Sequence, residues 1–477
     1  MGKMLNRKFM QISTSLLARV VQLVFGFVMT FILANHLSPI ELGTYYILVA
    51  VAVAAHFVVL NGLHFPIQRL LPNDFAEKTR FLSSIYLLSF CVAVCGLILG
   101  FALYSWLPLQ VNSLSLVLLC LSFAFSETLF SQITNTTSAF RRMGVYCLCV
   151  LLRSSIILIL FVWFGKDALS VEYAMIFYIS GNILASLPVL VMCGKFLRIS
   201  AFSVEQLAEL VRFSMPYSLS HILNQTTMRG DRILVGIFLG TSAAGEYSIA
   251  VDLARRTMTG LCVNTRLVYV RDAVDNYSNG DRERAQRSLD NMLASVLTLA
   301  VPTSIVLALF GAEILDNFLP ENIIETVNAL MAVVAFAFAS EVLNLYVLQL
   351  PFELTKKRWL DTKVALFKFS VFIPVFLFCL NLWGLWGAAV AQAVTLASTS
   401  VFASYVGRLK TDLYVPFVLP IVSFCWSVAF VYVLSNYAEM WAEWELKALL
   451  FAAITMGFVA MAVQFVISKA MLKCFFK

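Results

Sequence analysis

Apolar residues gather along this chain in runs of about 20, separated by short polar connections. A run of that length spans the roughly 30 Å hydrocarbon core of a bilayer as an α-helix. Fourteen such spans are expected, near 11–34, 43–64, 81–104, 112–137, 145–164, 171–194, 213–239, 243–265, 291–310, 326–350, 362–381, 384–406, 413–435 and 446–468. The connections then sort by charge. With the N-terminus inside, the inner ones carry Arg69, Lys78 and Arg80; Arg141 and Arg142; Lys195, Arg198 and Arg212; Arg271, Arg282, Arg284 and Arg287; Lys356, Lys357, Arg358 and Lys363; Arg408 and Lys410. Lys469, Lys473 and Lys477 lie in the inner tail. The outer connections are nearly free of Lys and Arg, with Lys166 and Lys447 as exceptions. Short-loop basic bias sets orientation, so both termini are expected in the cytoplasm. One missed span would invert every later connection.

Within the spans the pattern repeats. Leu42-Gly43-Thr44-Tyr45 recurs as Ala244-Gly245-Glu246-Tyr247, an offset of 202 (245 − 43). Ser126-Glu127-Thr128-Leu129 recurs as Ser340-Glu341-Val342-Leu343, an offset of 214 (341 − 127). A longer inner loop after span eight explains the drift. Six spans separate the copies, so the halves share orientation as a parallel repeat. The expected organisation is a six-helix lobe over 1–200, a second over 201–410, and two additional helices with a cytoplasmic tail over 411–477. Parallel-repeat transporters place the substrate between halves that rock against one another.

The polar residues inside the spans also follow a period. In span seven, Ser214, Ser218, His221, Gln225, Arg229 and Arg232 step by three or four, which puts them on one helix face. Ser220, Asn224, Thr227 and Asp231 occupy a neighbouring face, so Asp231 is expected to meet another helix. Span one carries a comparable stripe of Gln11, Ser15, Arg19, Gln22, Gly26 and Thr30. Spans one and seven are equivalent in the repeat, and their stripes are expected to face one another across a central cavity. A charge at mid-bilayer costs about 2.5–3.5 kcal/mol on insertion scales, so such residues face water or protein. Arg153, Arg256, Arg266 and Lys368 have a simpler reading as side chains that snorkel from span ends, with Arg153 alternatively pairing with an acid. Glu127 and Glu341 are structural or ion-coupling carboxylates, and Asp231 and Asp252 join them as coupling candidates. His221 reads as a polar filler. The connection 271–290 is the most polar segment and is expected to form a solvated surface helix after a turn at Asn279-Gly280. The run from Trp383 to Ala389 reads as an aromatic anchor leading into a close-packed helix of small residues.

Composition supports this picture. The 477 residues are 61% hydrophobic and 13% charged. Soluble domains are about 25% charged. The net charge of +7 is dispersed over short loops, as topology requires, and does not indicate nucleic acid. The basic N-terminus leads into an apolar run too long for a signal-peptide core, which makes it a retained first span. Most of the ten cysteines sit in apolar runs and read as buried thiols, with no metal-site spacing among them. There is no GxxxxGK[ST], HExxH or GxSxG pattern, so neither catalysis nor a cofactor is expected.

Two stretches carry a family resemblance. SLLARVVQLVFGFVMTFILANHLSPIELGTYY at the first helix and FSMPYSLSHILNQTTMRGDRILVGIFLGTSAAGEYSIA at the seventh resemble bacterial polysaccharide-unit (Wzx-type) flippases, and GLWGAAVA at 384–391 resembles the start of their twelfth helix. These belong to the multidrug/oligosaccharidyl-lipid/polysaccharide exporter superfamily. The resemblance implies an all-α polytopic protein of about 14 transmembrane helices, with two six-helix lobes in a V. It implies a bacterial inner-membrane location and an oligosaccharide on undecaprenyl diphosphate as substrate. It also implies a basic lumen, matched here by Arg19, Arg229 and Arg232, with Arg255, Gln22 and Gln225 alongside. Membrane lipids, a polysaccharide polymerase and chain-length proteins are the implied partners for surface polysaccharide such as O-antigen or exopolysaccharide. A lipid II flippase is the near alternative. An ion-coupled multidrug exporter is disfavoured because span one holds no Asp or Glu. A polymerase or ligase would need a larger outer loop.

Overall fold

A computed structural model describes residues 2–59, 67, 71–72, 74–103, 114–140, 142–164, 169–198, 201–357, 359–436 and 446–475. Helices dominate: α1 Gly2–His36, α2 Pro39–Val59, α3 Phe75–Leu103, α4 Leu114–Ala139, α5 Met143–Phe164, α6 Val171–Cys193, α7 Val204–Leu239, α8 Thr241–Ser278, α9 Arg282–Asp316 and α10 Glu321–Leu343. The short α11 Leu350–Leu354, then α12 Trp359–Lys410, α13 Val418–Ser435 and α14 Leu446–Phe475, complete the chain. No strand occurs among the described residues. A helix overlies each of the fourteen expected segments, with spans eleven and twelve joined in α12. Ten of the helices are long and apolar enough to cross a membrane among the described residues; α7 and α8, which carry the charged stripes, are not among them. The chain is a multi-pass membrane protein, and fourteen crossings stays an expectation. Arg69, Arg141, Lys166, Arg358 and Lys477 lie outside the described residues, as do the side chains of Gln11, Ser15, Arg212, Ser214, Ser218 and Cys474.

Local chemistry starts and stops these helices. Ser38 and Glu41 form a reciprocal box before α2. The Glu41 carboxylate accepts from the Ser38 amide (3.0 Å) and hydroxyl (2.7 Å). Asp74 caps α3 by accepting from the amides of Ala76 (2.9 Å) and Glu77 (3.2 Å), which satisfies donors that the first turn leaves open. Those backbone donors hold the Asp74 carboxyl below the usual carboxylate range. The turn at Asn279-Gly280 forms as expected, but the connection 271–290 is no separate surface helix. Its two arms continue α8 and begin α9, with Asp281 capping α9 through the Arg284 amide (3.0 Å). Inside α12 the backbone leaves helical geometry at Gly384 (φ 56°, ψ −131°), which separates spans eleven and twelve. A Cβ at Gly387 would stand 1.8 Å from the Cys379 carbonyl oxygen. Only glycine permits this close reversal.

The chain divides by contact into two compact units. The first comprises 1–29 and 36–233, and the second 30–35 and 234–477. This division cuts through both α1 and α7. In the first unit α6 packs on α4 and α5, and α2 and α3 pack on α4. In the second, α9 is central and touches α8, α10, α13 and α14, while α10 packs on α8 and α12. Segment 30–35 is fixed to this unit: the Asn35 amide donates to the Phe318 carbonyl (2.8 Å), and Phe31 stacks on Phe318.

Candidate functional site

The first unit buries a polar cluster drawn from five helices. Glu127 on α4 accepts from Arg153 on α5 (2.8 Å) and from the Asn182 amide on α6 (3.1 Å). The Asn182 amide also reaches the Ser126 hydroxyl (3.1 Å), and Arg153 lies over the Phe130 ring at 4.5 Å, within cation–π range. Asn182 is fully buried. Beside Glu127, the Thr128 hydroxyl donates to the Ala124 carbonyl (2.7 Å) and stands 2.7 Å from His56 Nδ1 on α2. The hydroxyl has one proton to share between the Ala124 carbonyl and the ring. The charge of Arg229 on α7 acts on both His56 and Glu127.

One helical turn further along α7, Arg232 is 1% exposed and its guanidinium covers the Tyr46 ring at 5.4 Å. Asp231 is fully buried and accepts from the Arg232 backbone amide (2.8 Å). Arginine stays charged in such surroundings, where a lysine would lose its proton more readily. Arg229 and Arg232 thus lie one turn apart on α7, with Asp231 beside Arg232.

The other expected site residues are distributed differently. Arg19 lies in the first unit, half-buried, and its charge acts on Tyr146 of α5. Arg19 and Arg229 thus act on different neighbours within one unit. Gln22 is exposed, while Gln225 and His221 are half-buried. In the second unit Arg255 of α8 meets Glu341 of α10 at 3.3 Å and covers the Phe338 ring at 5.3 Å. Asp252 meets Arg256 one turn away at 3.3 Å. Glu127 and Glu341 are therefore both ion-paired to arginine, though by different helices. Immediately after Glu341 the helix widens into a π turn over Asn344–Leu348, a local irregularity frequent at functional positions.

One snorkelling expectation is corrected. Lys368 is 4% exposed, because its span packs into the second unit instead of presenting the amine to water. Arg266 is bound by both oxygens of Glu353 (2.6 and 2.7 Å). Of the cysteines, Cys91, Cys95 and Cys425 are exposed instead of buried. Sequence reasoning passed over His56 and Asn182. Both were detectable as polar side chains inside apolar spans, which are costly unless satisfied.

The sequence matches the family model described as polysaccharide biosynthesis protein over residues 32–328, more than half of the chain. No curated protein matches. The fold is similar to that of a lipid II flippase, MurJ, in an inward closed conformation (TM-score 0.73, 14% identity, 98% of this chain and 100% of that one). It is also similar to an inward-facing multidrug resistance MATE transporter of the MOP superfamily (TM-score 0.66, 14% identity, 81% and 94%). A third likeness is to the Vibrio cholerae MATE transporter VcmN as a D35N mutant (TM-score 0.58, 12% identity, 85% and 96%). The likeness to these structures is one of fold.

Proposed function

The chain belongs to the polysaccharide biosynthesis protein family, and on that premise we propose that it is a flippase for an undecaprenyl-diphosphate-linked oligosaccharide repeat unit. It moves the unit from the cytoplasmic to the outer leaflet of a bacterial inner membrane, by alternating access, for surface polysaccharide assembly. The observation that carries this reading is the pair of arginines one turn apart on α7, Arg229 and the 1% exposed Arg232. Positive charge in a membrane helix is costly. A diphosphate offers what offsets it, because guanidinium groups grip phosphate oxygens through paired hydrogen bonds. Within the first unit Arg19, Gln22 and Gln225 extend the polar path for the head group, while the polyprenyl tail stays in lipid. Both termini face the cytoplasm in this scheme, and a polymerase and chain-length proteins receive the product.

Replacing both cations, Arg229→Ala with Arg232→Ala, is expected to abolish polymer at the cell surface while the protein remains inserted. Normal polymer from a well-expressed double mutant overturns the assignment. Lipid II is the second reading, favoured by the end-to-end fold match to a lipid II flippase. Deleting the gene separates the two. Loss of surface polymer with intact growth supports the repeat unit, and arrested cell-wall synthesis supports lipid II.

A further inference from the structure

The two arms of α12, folded back at Gly384, bring their far ends together within the second unit. Phe367 on the first arm stacks on Phe402 on the second, with ring centroids 4.1 Å apart. Just before the helix begins, the Lys357 ammonium donates to the carbonyl of Lys410, the last residue of the helix (2.5 Å). Between these contacts the arms run antiparallel, so Lys363 falls level with Tyr405 and Trp359 with Leu409. Each arm also turns a stripe outward. On the first, Trp359, Lys363, Leu366 and Ser370 are exposed at helical spacing; on the second, Ala397, Val401, Tyr405 and Arg408 are. Both stripes are apolar further along and end at this level in an aromatic ring and a cation. Trp359 is 58% exposed and Tyr405 61%, so neither ring serves the packing of the unit.

We propose that the joined ends of the α12 arms bind an anionic phospholipid of the adjoining leaflet, its phosphodiester held by Lys363 and Arg408 and its glycerol region lying against Trp359 and Tyr405. In the orientation proposed above this is the cytoplasmic leaflet, but the site is separate from the flippase reading and does not depend on it. The acids close in sequence are engaged elsewhere. Glu353 pairs with Arg266 (2.6 Å) and Asp412 with Arg282 (3.2 Å). Asp361 is half-buried, and its spacing of two from Lys363 puts it on another face of the helix. Long basic side chains at a span end reach out to the headgroups, and Trp and Tyr settle at that same level. Arginine grips phosphate oxygens through paired hydrogen bonds, and lysine adds a point charge. The exposed Lys356, Lys357 and Lys410 at the same end select for net charge, because they repel the choline or amine of a zwitterionic lipid. A lipid suits the place better than a soluble anion, because Leu366 and Val401, 53% and 48% exposed, offer apolar surface to its acyl chains.

The test uses the full-length protein in non-ionic detergent, titrated with fluorescent phosphatidylglycerol and, separately, phosphatidylcholine. Phosphatidylglycerol is expected to bind the wild type about tenfold more tightly, since each basic residue near an anionic lipid contributes a several-fold gain. Raising salt from about 50 to about 500 mM should erode that preference by screening. Lys363→Gln with Arg408→Gln is expected to weaken phosphatidylglycerol about tenfold and leave phosphatidylcholine unchanged. Arg271→Gln with Arg284→Gln removes two exposed cations from α8 and α9 instead, and is expected to change neither. An equal loss in this control would show a response to net charge alone and overturns the site. Equal affinity of the wild type for the two lipids overturns it as well. Displacement of the lipid by an equimolar amount of inorganic phosphate would make this a site for a small anion and overturns the lipid assignment. The wild-type comparison of lipids and salt decides against the proposal even where the double variant does not fold.

Discussion

At the scale of single residues, the energetics centre on buried charges that are acceptable only in company. Glu127 and Arg153 are each about one-fifth exposed, at 23% and 20%, and joined at 2.8 Å. Removing one partner strands the other in a low-dielectric interior, which costs about 3–5 kcal/mol, whereas removing both is often close to neutral. Glu127→Gln and Arg153→Met are each expected to lower the melting temperature in detergent, and the double variant to recover most of the loss. Simple addition of the two single losses would show that the pair is not coupled. Asn182 moderates the cost by giving the same carboxylate a third helix to bond, so the triad ties α4, α5 and α6 together. The same logic applies to Glu341 and Arg255, where a longer bond of 3.3 Å joins the groups.

Elements are held by close approach and by a few polar clasps, because lipid offers helices no hydrophobic reward for associating. At the reversal inside α12, Gly387→Ala places a methyl group where the Cys379 carbonyl already stands, and the neighbour is backbone that cannot swing aside. Loss of folded, detergent-extractable protein is expected; a variant with normal yield and melting would contradict the geometry. The two C-terminal helices show the second device. Gln464 on α14 accepts from the Trp426 indole (2.8 Å) and donates to Ser423 (2.8 Å), both on α13, and to Ser468 on its own helix (3.1 Å). Interhelical bonds of this kind contribute about 0.6 kcal/mol each on average. Gln464→Leu should therefore loosen the pair by about 1 kcal/mol, read as faster proteolysis between α13 and α14 with the rest of the chain intact. Unchanged proteolysis would leave helix packing, and not the clasp, as what holds them.

For the whole molecule, topology is the property most open to test. In a cysteine-free background, Asn279→Cys is expected to react with an impermeant maleimide only from the cytoplasmic side, and Ser242→Cys only from outside. The reverse pattern would place both termini outside. All-helical architecture, the positions of the helices and the membrane class were legible in the sequence. Hydrophobic period and loop charge are local quantities that burial does not alter. The arginines of span seven were legible for the same reason, since a charge in an apolar run is conspicuous wherever it ends up. Partnership was not legible. Glu127 is near no arginine in sequence, and its pairing with Arg153 arises because α4, α5 and α6 pack together. His56 is one polar residue in an apolar span in the sequence, and packing set it beside Thr128. Lys368 looked exposed until its span was buried. The sequence by itself determined which segments leave water and which charges go with them, because transfer energies belong to each residue. The tertiary structure decided which charges neutralise one another, because Coulomb energy depends on distances that only the packed helices set.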